Sequence, residues 1–207
     1  SAAVKNNGSA LVFANDQLKS SPAVVLVAVA QNGGALKFAA DNLRSDDELV
    51  LAAVKLKGRA LEFAAEELRA DKNIVLAAVG ENDWAFAYAS DELRADKDFA
   101  MQVVALKGRA LEYVSSELKA DPELVLAAAV EYEWALDHAD STLMSNRTFI
   151  LAAVKLHGLA LEYASENLRA DREIVLTAIE ENPEALVYAS SDLRAEFAKN
   201  LAIKLDK

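Results

Sequence analysis

The side chains that could do chemistry in this 207-residue chain are few: two histidines, no cysteine, and 33 carboxylates against 22 lysines and arginines. His138 stands in a position that recurs through the sequence as Phe13, Phe38, Phe63, Tyr88, Tyr113, Tyr163 and Tyr188, so it is expected to pack as a ring rather than act as a base or ligand. His157 stands where related stretches hold Lys57 and Lys107, in a basic turn. Neither has neighbours at the spacings that enclose a zinc ion. A serine nucleophile elbow is missing. So is a glycine-rich phosphate loop, because five of the seven glycines (Gly8, Gly33, Gly58, Gly108 and Gly158) recur as turn residues. Asp16, Asp41, Glu66, Asp91 and Glu166 each precede Lys19, Arg44, Arg69, Arg94 or Arg169 by three positions, the spacing of an ion pair along one helix. That pattern reads as a solvated surface. The expectation is a protein with no catalytic residue, no metal site and no cofactor.

Binding remains, and the elements that would position it follow from a strict internal repeat. The stretch Asp46 to Ala70 reappears when the chain is shifted by 25 residues. On that spacing fall Gly8, Gly33, Gly58, Asp83, Gly108, Glu133, Gly158 and Pro183, and likewise the leucines from Leu18 to Leu193. A period of this length marks a solenoid. Asp46 is a favourable N-cap, able to accept hydrogen bonds from the opening amides of a first helix. Ser21, Asp71, Asp96, Asp121, Asn146 and Asp171 share its slot, and Pro22 and Pro122 follow as good first helical residues. The run Leu49 to Val54 is apolar nearly all round, which predicts a helix covered on most sides. Gly58 then reads as a helix end in the left-handed conformation.

A second helix, Arg59 to Arg69, is amphipathic, with Ala60, Leu61, Ala64, Ala65 and Leu68 on one face. Its last residue is basic in seven of eight repeats, matching the negative end of the helix dipole, and Met144 is the exception. The unvarying alanine at Ala35, Ala60, Ala85 and their equivalents implies close packing, and the aromatic position is expected to fill space between layers. The fold class is therefore all-α, an α-solenoid or superhelix of about eight 25-residue two-helix repeats. The array spans 1–195 and opens partway through a repeat, with Ser1 in a leucine slot, as an excised fragment would. Residues 196–207, where Phe197, Leu201 and Leu205 leave the register, are expected to form a C-terminal capping helix segment.

The turn between the two helices carries the departures from the repeat. It is basic at Lys55 to Arg59, Leu106 to Arg109 and Lys155 to Gly158, and acidic at Glu81 to Asp83, Glu131 to Glu133 and Glu180 to Glu184, so a 50-residue period overlies the shorter one. Neighbouring turns of opposite charge would pair across layers in a ladder of weak ion pairs. Trp84 and Trp134 occupy a slot that elsewhere accepts Ser9, Arg59 and Glu184, and is therefore expected to be exposed, on one edge and two layers apart, with Tyr132 nearby. Exposed aromatics are enriched at binding hot spots. Trp84, Trp134 and Tyr132, with Arg59, Arg109, Lys57 and Lys107 of the basic turns, are the candidate partner-binding residues. The alternative is that each indole folds back over its neighbouring turn.

The patterns A-V-K-x-x-G-x-A-L, as in Ala53 to Leu61, and A-S-x-x-L-R-x-D, as in Ala89 to Asp96, resemble the roughly 50-residue tandem repeats catalogued as domain of unknown function 4116, over essentially the whole chain to about Ala195. The resemblance implies a repeat array and carries over no functional residue. It also implies a source among bacteria, intracellular pathogens included, or protists. Met144 and Asn146 depart from the pattern at one turn.

A formal charge of -11 disfavours nucleic acid and anionic membranes as partners and suits a protein with a basic surface. Apolar runs such as Leu49 to Val54 fall far short of the roughly 20 residues a membrane span needs. The lack of cysteine is compatible with a reducing compartment, so the expected location is cytoplasmic, or the host cytosol for a secreted bacterial effector. Of two Asn-x-Ser/Thr sites, Asn7 and Asn146, the latter is better explained as a helix cap. The expected function is a non-catalytic protein-binding scaffold or targeting module within a longer protein. The alternative is a structural spacer or self-assembling array without a dedicated ligand site, self-associating through its open N-terminal repeat.

Overall fold

A single repeat of this length cannot bury its own apolar face, so it must lean on its neighbours. The computed structural model describes Val4 and residues 6–197, and its regular elements are all helical. The chain divides into two compact units, Ser1–Ser115 and Ser116–Lys207. Each is a stack of repeats, the all-α solenoid read from the sequence. The repeat that opens at Asp46 shows the pattern: a long α-helix Asp47–Leu56, a 3-10 helix Gly58–Phe63 and a single α-turn Glu66–Arg69.

The caps form largely as the residue types demand. Asp46 accepts the Leu49 N–H at 2.8 Å, and Asp71, Asp121 and Asp171 each accept two opening amides. Asn146 accepts the Phe149 N–H at 3.1 Å, whereas Ser21 makes no such bond. In the first unit the long helices Pro22–Gln31, Asp47–Leu56, Lys72–Glu81 and Lys97–Leu106 pack each on the next, and in the second Pro122–Glu131, Arg147–Leu156 and Arg172–Glu181 do the same. Leu49, Val50, Ala53 and Val54 are buried, as are their described equivalents except Val24 and Ile179, which are half-buried. Leu51 and Ala52 are half-buried and Lys55 and Leu56 exposed, so the long helix is less fully covered than its composition suggests. The unvarying alanine is buried at Ala35, Ala60, Ala85, Ala110, Ala135, Ala160 and Ala185, where any larger side chain would force the layers apart. Among the described residues no polar or charged one is buried.

The second helix expected over Arg59 to Arg69 is broken in two. Ala64 (φ −69°, ψ 157°) and Ala65 (φ −59°, ψ 156°) leave the helical region. The Ala65 N–H donates to the Arg44 carbonyl of the preceding repeat at 2.8 Å. A continuous helix would use that N–H on a carbonyl of its own preceding turn. The same bond joins Ala40 to Lys19 (3.0 Å), Ser90 to Arg69 (2.9 Å) and Ser115 to Arg94 (2.9 Å) in the first unit. In the second it joins Asp140 to Lys119 (2.8 Å), Ser165 to Met144 (2.8 Å) and Ser190 to Arg169 (2.9 Å). Because donor and acceptor are both backbone, Met144 can replace a basic residue without cost to the link.

Three further expectations are revised. No described residue has a positive φ, so Gly58 is not a left-handed helix end. Lys57 closes the long helix in an extended conformation (φ −149°, ψ 105°). Glycine is needed at 58 for space instead, because a Cβ there would lie 2.5 Å from the Ala78 carbonyl oxygen of the next repeat, and Gly8 and Gly158 meet Ala28 and Ala178 in the same way. The aromatic position is not interior filling: Phe38, Phe63, Tyr88, Tyr113, His138, Tyr163 and Tyr188 are half-buried, and Phe13 is 91% exposed. That position ends the 3-10 helix at the surface, and the interior is filled two residues earlier by Leu36, Leu61, Phe86, Leu111 and their equivalents. Of the ion pairs expected along the short helix, Asp41–Arg44 (2.6 Å) and Asp91–Arg94 form. Arg169 instead donates to the carbonyls of Ala164 (2.8 Å) and Glu162, which the end of the 3-10 helix leaves unpaired.

Residues 191–197 are helical, with Phe197 buried and the Arg172 guanidinium 5.1 Å from its ring centre. The rest of the expected 196–207 cap, and the opening Ser1 to Ala3 and Lys5, lie outside the described residues.

Candidate functional site

The seven residues singled out from the sequence all fall on the turn that links the long helix to the 3-10 helix. In the first unit, Lys57 and Lys107 each end a long helix, and Arg59 and Arg109 each stand second in the 3-10 helix that follows. Lys57 and Arg59 lie over Gly33 of the preceding repeat, where a Cβ would come within 3.0 Å of the Lys57 Cβ. Arg59 pairs at 2.9 Å with Glu62 of its own repeat, and that hydrogen bond raises its pKa. Trp84 is 55% exposed, and its backbone N–H is held by Asn82 Oδ1 and Asp83 Oδ1, each at 3.0 Å. In the second unit Tyr132 is half-buried and Trp134 is 52% exposed. Neither indole is packed away into its unit's interior.

The expected pairing of basic with acidic turns is present but thin. Arg109 Nε lies 3.9 Å from Asp83 in the preceding repeat, and His157 Nδ1 lies 4.0 Å from Glu133. Solvated pairs at such distances contribute about 0–1 kcal/mol each. His157 does more through its other nitrogen, since Nε2 donates to the Ala129 carbonyl at 2.7 Å. A carbonyl only accepts, so Nε2 carries the proton.

Around Trp134 the second unit forms a small open cleft of about 70 Å³, bordered by Glu133, Leu159, Glu162, Tyr163 and Tyr188 as well as the indole. Burial, and then a hydrogen bond to Asp137, push the Tyr163 pKa well above the ordinary phenol value, and a hydrogen bond to the Glu162 carboxylate raises that of Tyr188. The tyrosines enter the site because the aromatic position is a surface position, which its apolar character in the sequence concealed.

The sequence reading also missed carboxylates that lock repeats together. Glu81 accepts the Gly58 N–H at 2.6 Å, and Glu181 accepts that of Gly158. In both cases a glycine turn is followed, one repeat later, by a glutamate at the end of the long helix, and that pairing was the available signal. Among the described residues no group of His, Asp or Glu side chains is arranged to hold a metal ion, and no helix is long and apolar enough to cross a membrane.

No curated protein and no solved structure matches the chain. Seven overlapping segments, 1–44, 23–69, 46–94, 71–119, 96–144, 121–169 and 146–194, match one family, each spanning about two of the short repeats and offset by one from the last. The chain belongs to the family described as Domain of unknown function (DUF4116).

Proposed function

We propose that this repeat array is a non-catalytic protein-binding scaffold or targeting module within a longer protein, and that the turn edges anchor its partner. The observation that carries this reading is the pair of half-exposed tryptophans, Trp84 in the first unit, on a turn capped by Asn82, and Trp134 in the second, each second in a short 3-10 helix. An indole left half in water gives up much of the burial it could have had, and such side chains are typical binding anchors. The surplus of carboxylates favours a partner with a basic surface, and neither nucleic acid nor membrane. A cytoplasmic location, or a host cytosol, belongs to the same reading. Arg59, Arg109, Lys57, Lys107 and Tyr132 would contribute polar contacts around the indoles.

The test is a double variant, Trp84→Ala with Trp134→Ala. Its circular dichroism and unfolding midpoint should stay close to the parent's, because both rings are already half-solvated, while affinity for a partner isolated with the parent chain should fall by at least about tenfold. Unchanged affinity for every such partner sinks the proposal. A second reading, self-association, is favoured by the exposure of Phe13, and light scattering decides it: a concentration-dependent mass that Phe13→Ala abolishes would support an array.

A further inference from the structure

Repeats in register provide an internal comparison of the two tryptophan turns. Beside Trp84 the first unit supplies its own cation: Arg109, from the following repeat, reaches Asp83 at 3.9 Å. In the second unit Glu133 takes the place of Asp83 and Trp134 that of Trp84, but the position of Arg109 is Leu159. The cleft at Trp134 therefore keeps the carboxylates and the rings and lacks the arginine. His157 stands 4.0 Å from Glu133, yet its Nε2 proton is given to Ala129, so it offsets that charge only when doubly protonated. Arg169 bonds the backbone carbonyls of Glu162 and Ala164 rather than the Glu162 carboxylate.

We propose that the cleft bounded by Trp134, Tyr163, Tyr188 and Leu159, with Glu133 and Glu162 at its border, seats a lysine or arginine side chain of a protein partner. The inference rests on the partner-binding reading above and names the chemistry at one of its anchors. An indole face attracts a cation, and a carboxylate beside it holds the charged head while the aliphatic stem lies on the leucine. The cleft, about 70 Å³ and open to solvent, has room for such a head group.

The experiment uses the full chain labelled with nitrogen-15 and follows both indole N–H signals, assigned through Trp84→Phe and Trp134→Phe. The probes are N-acetyl-lysine N-methylamide and its uncharged norleucine counterpart. The lysine probe should shift the Trp134 signal saturably and leave that of Trp84 in place, and the norleucine probe should do neither. Leu159→Arg, which installs the residue native at the equivalent Arg59 and Arg109 and so leaves the fold intact, should weaken the lysine probe by about two- to fivefold, the scale of one exposed cation–π contact. Equal response to norleucine, no response to lysine, or an undiminished affinity in Leu159→Arg overturns the inference. If Trp134→Ala abolishes partner binding while the lysine probe is silent, the cation claim fails and the scaffold reading stands. If the probe behaves as expected and partners ignore both tryptophans, the reverse holds.

Discussion

Two glycine-to-alanine substitutions in the first unit should act in opposite directions. A Cβ on Gly58 would sit 2.5 Å from the Ala78 carbonyl oxygen, which cannot easily retreat because it already accepts the Asn82 N–H at 2.9 Å inside the next long helix. Something in the interface must move. Overpacking of this kind costs about 1–3 kcal/mol, and any opening of the turn also strains the charged hydrogen bond from the Gly58 N–H to Glu81. Gly58→Ala should therefore destabilise by about 2–3 kcal/mol, which at a urea slope of about 2–3 kcal/mol per molar lowers the midpoint by roughly 1 M. Gly80 lies in the last turn of the helix Lys72–Glu81, and its nearest prospective neighbour is Leu106 Cδ2 at 4.0 Å. Removing glycine's excess backbone freedom there should stabilise by about 0.5–1 kcal/mol. Urea titrations monitored by circular dichroism would decide the matter. If Gly58→Ala matched or exceeded the parent's midpoint, the claim that glycine is present for close approach between repeats would be wrong.

Other consequences follow from the caps and the ion pairs. Asp71→Ala removes two bonds to opening amides and should cost about 1 kcal/mol, whereas Ser21→Ala, whose hydroxyl makes no capping bond, should be nearly neutral; the difference in urea midpoint reports it. The hydrogen bond from Arg147 holds the Asp171 carboxyl below its ordinary range, so this pair stabilises the fold above pH ~4 and loses its contribution as pH falls through the lower folded value. Arg147→Met should accordingly be less stable than the parent at pH 7, with the gap narrowing by pH 3; a gap of constant size would count against the pair.

Much of the architecture was legible because periodicity constrains faces. Leucine, alanine and valine recurring at fixed offsets can be buried together only if repeats stack in register, and aspartate before an apolar run marks a helix start by a local hydrogen bond. The break at Ala64 and Ala65 left no such trace in its own repeat, where alanine favours helix and the bond that draws Ala65 away is between backbone groups of different repeats. The signal lay in the equivalent positions, where the side chains of Asn15, Ser90 and Asp140 cap the short helical turn that follows. Gly58 was visible as special but for the wrong reason, since its constraint comes from Ala78, in the following repeat. At the candidate site, the exchange of arginine for Leu159 is plain in the sequence, but what it leaves uncompensated beside Glu133 emerges only when neighbouring repeats are packed together.

That the second half of each repeat leaves its own helix to bond the repeat before it is the claim on which both the stack and its exposed turns depend. Scalar couplings across hydrogen bonds, read from a long-range HNCO spectrum, test it directly. The amide nitrogens of Ala40, Ala65 and Ser90 should couple to the carbonyl carbons of Lys19, Arg44 and Arg69, and those of Ser165 and Ser190 to Met144 and Arg169. Coupling of Ala65 to Leu61 instead would mean an unbroken second helix and would contradict the account.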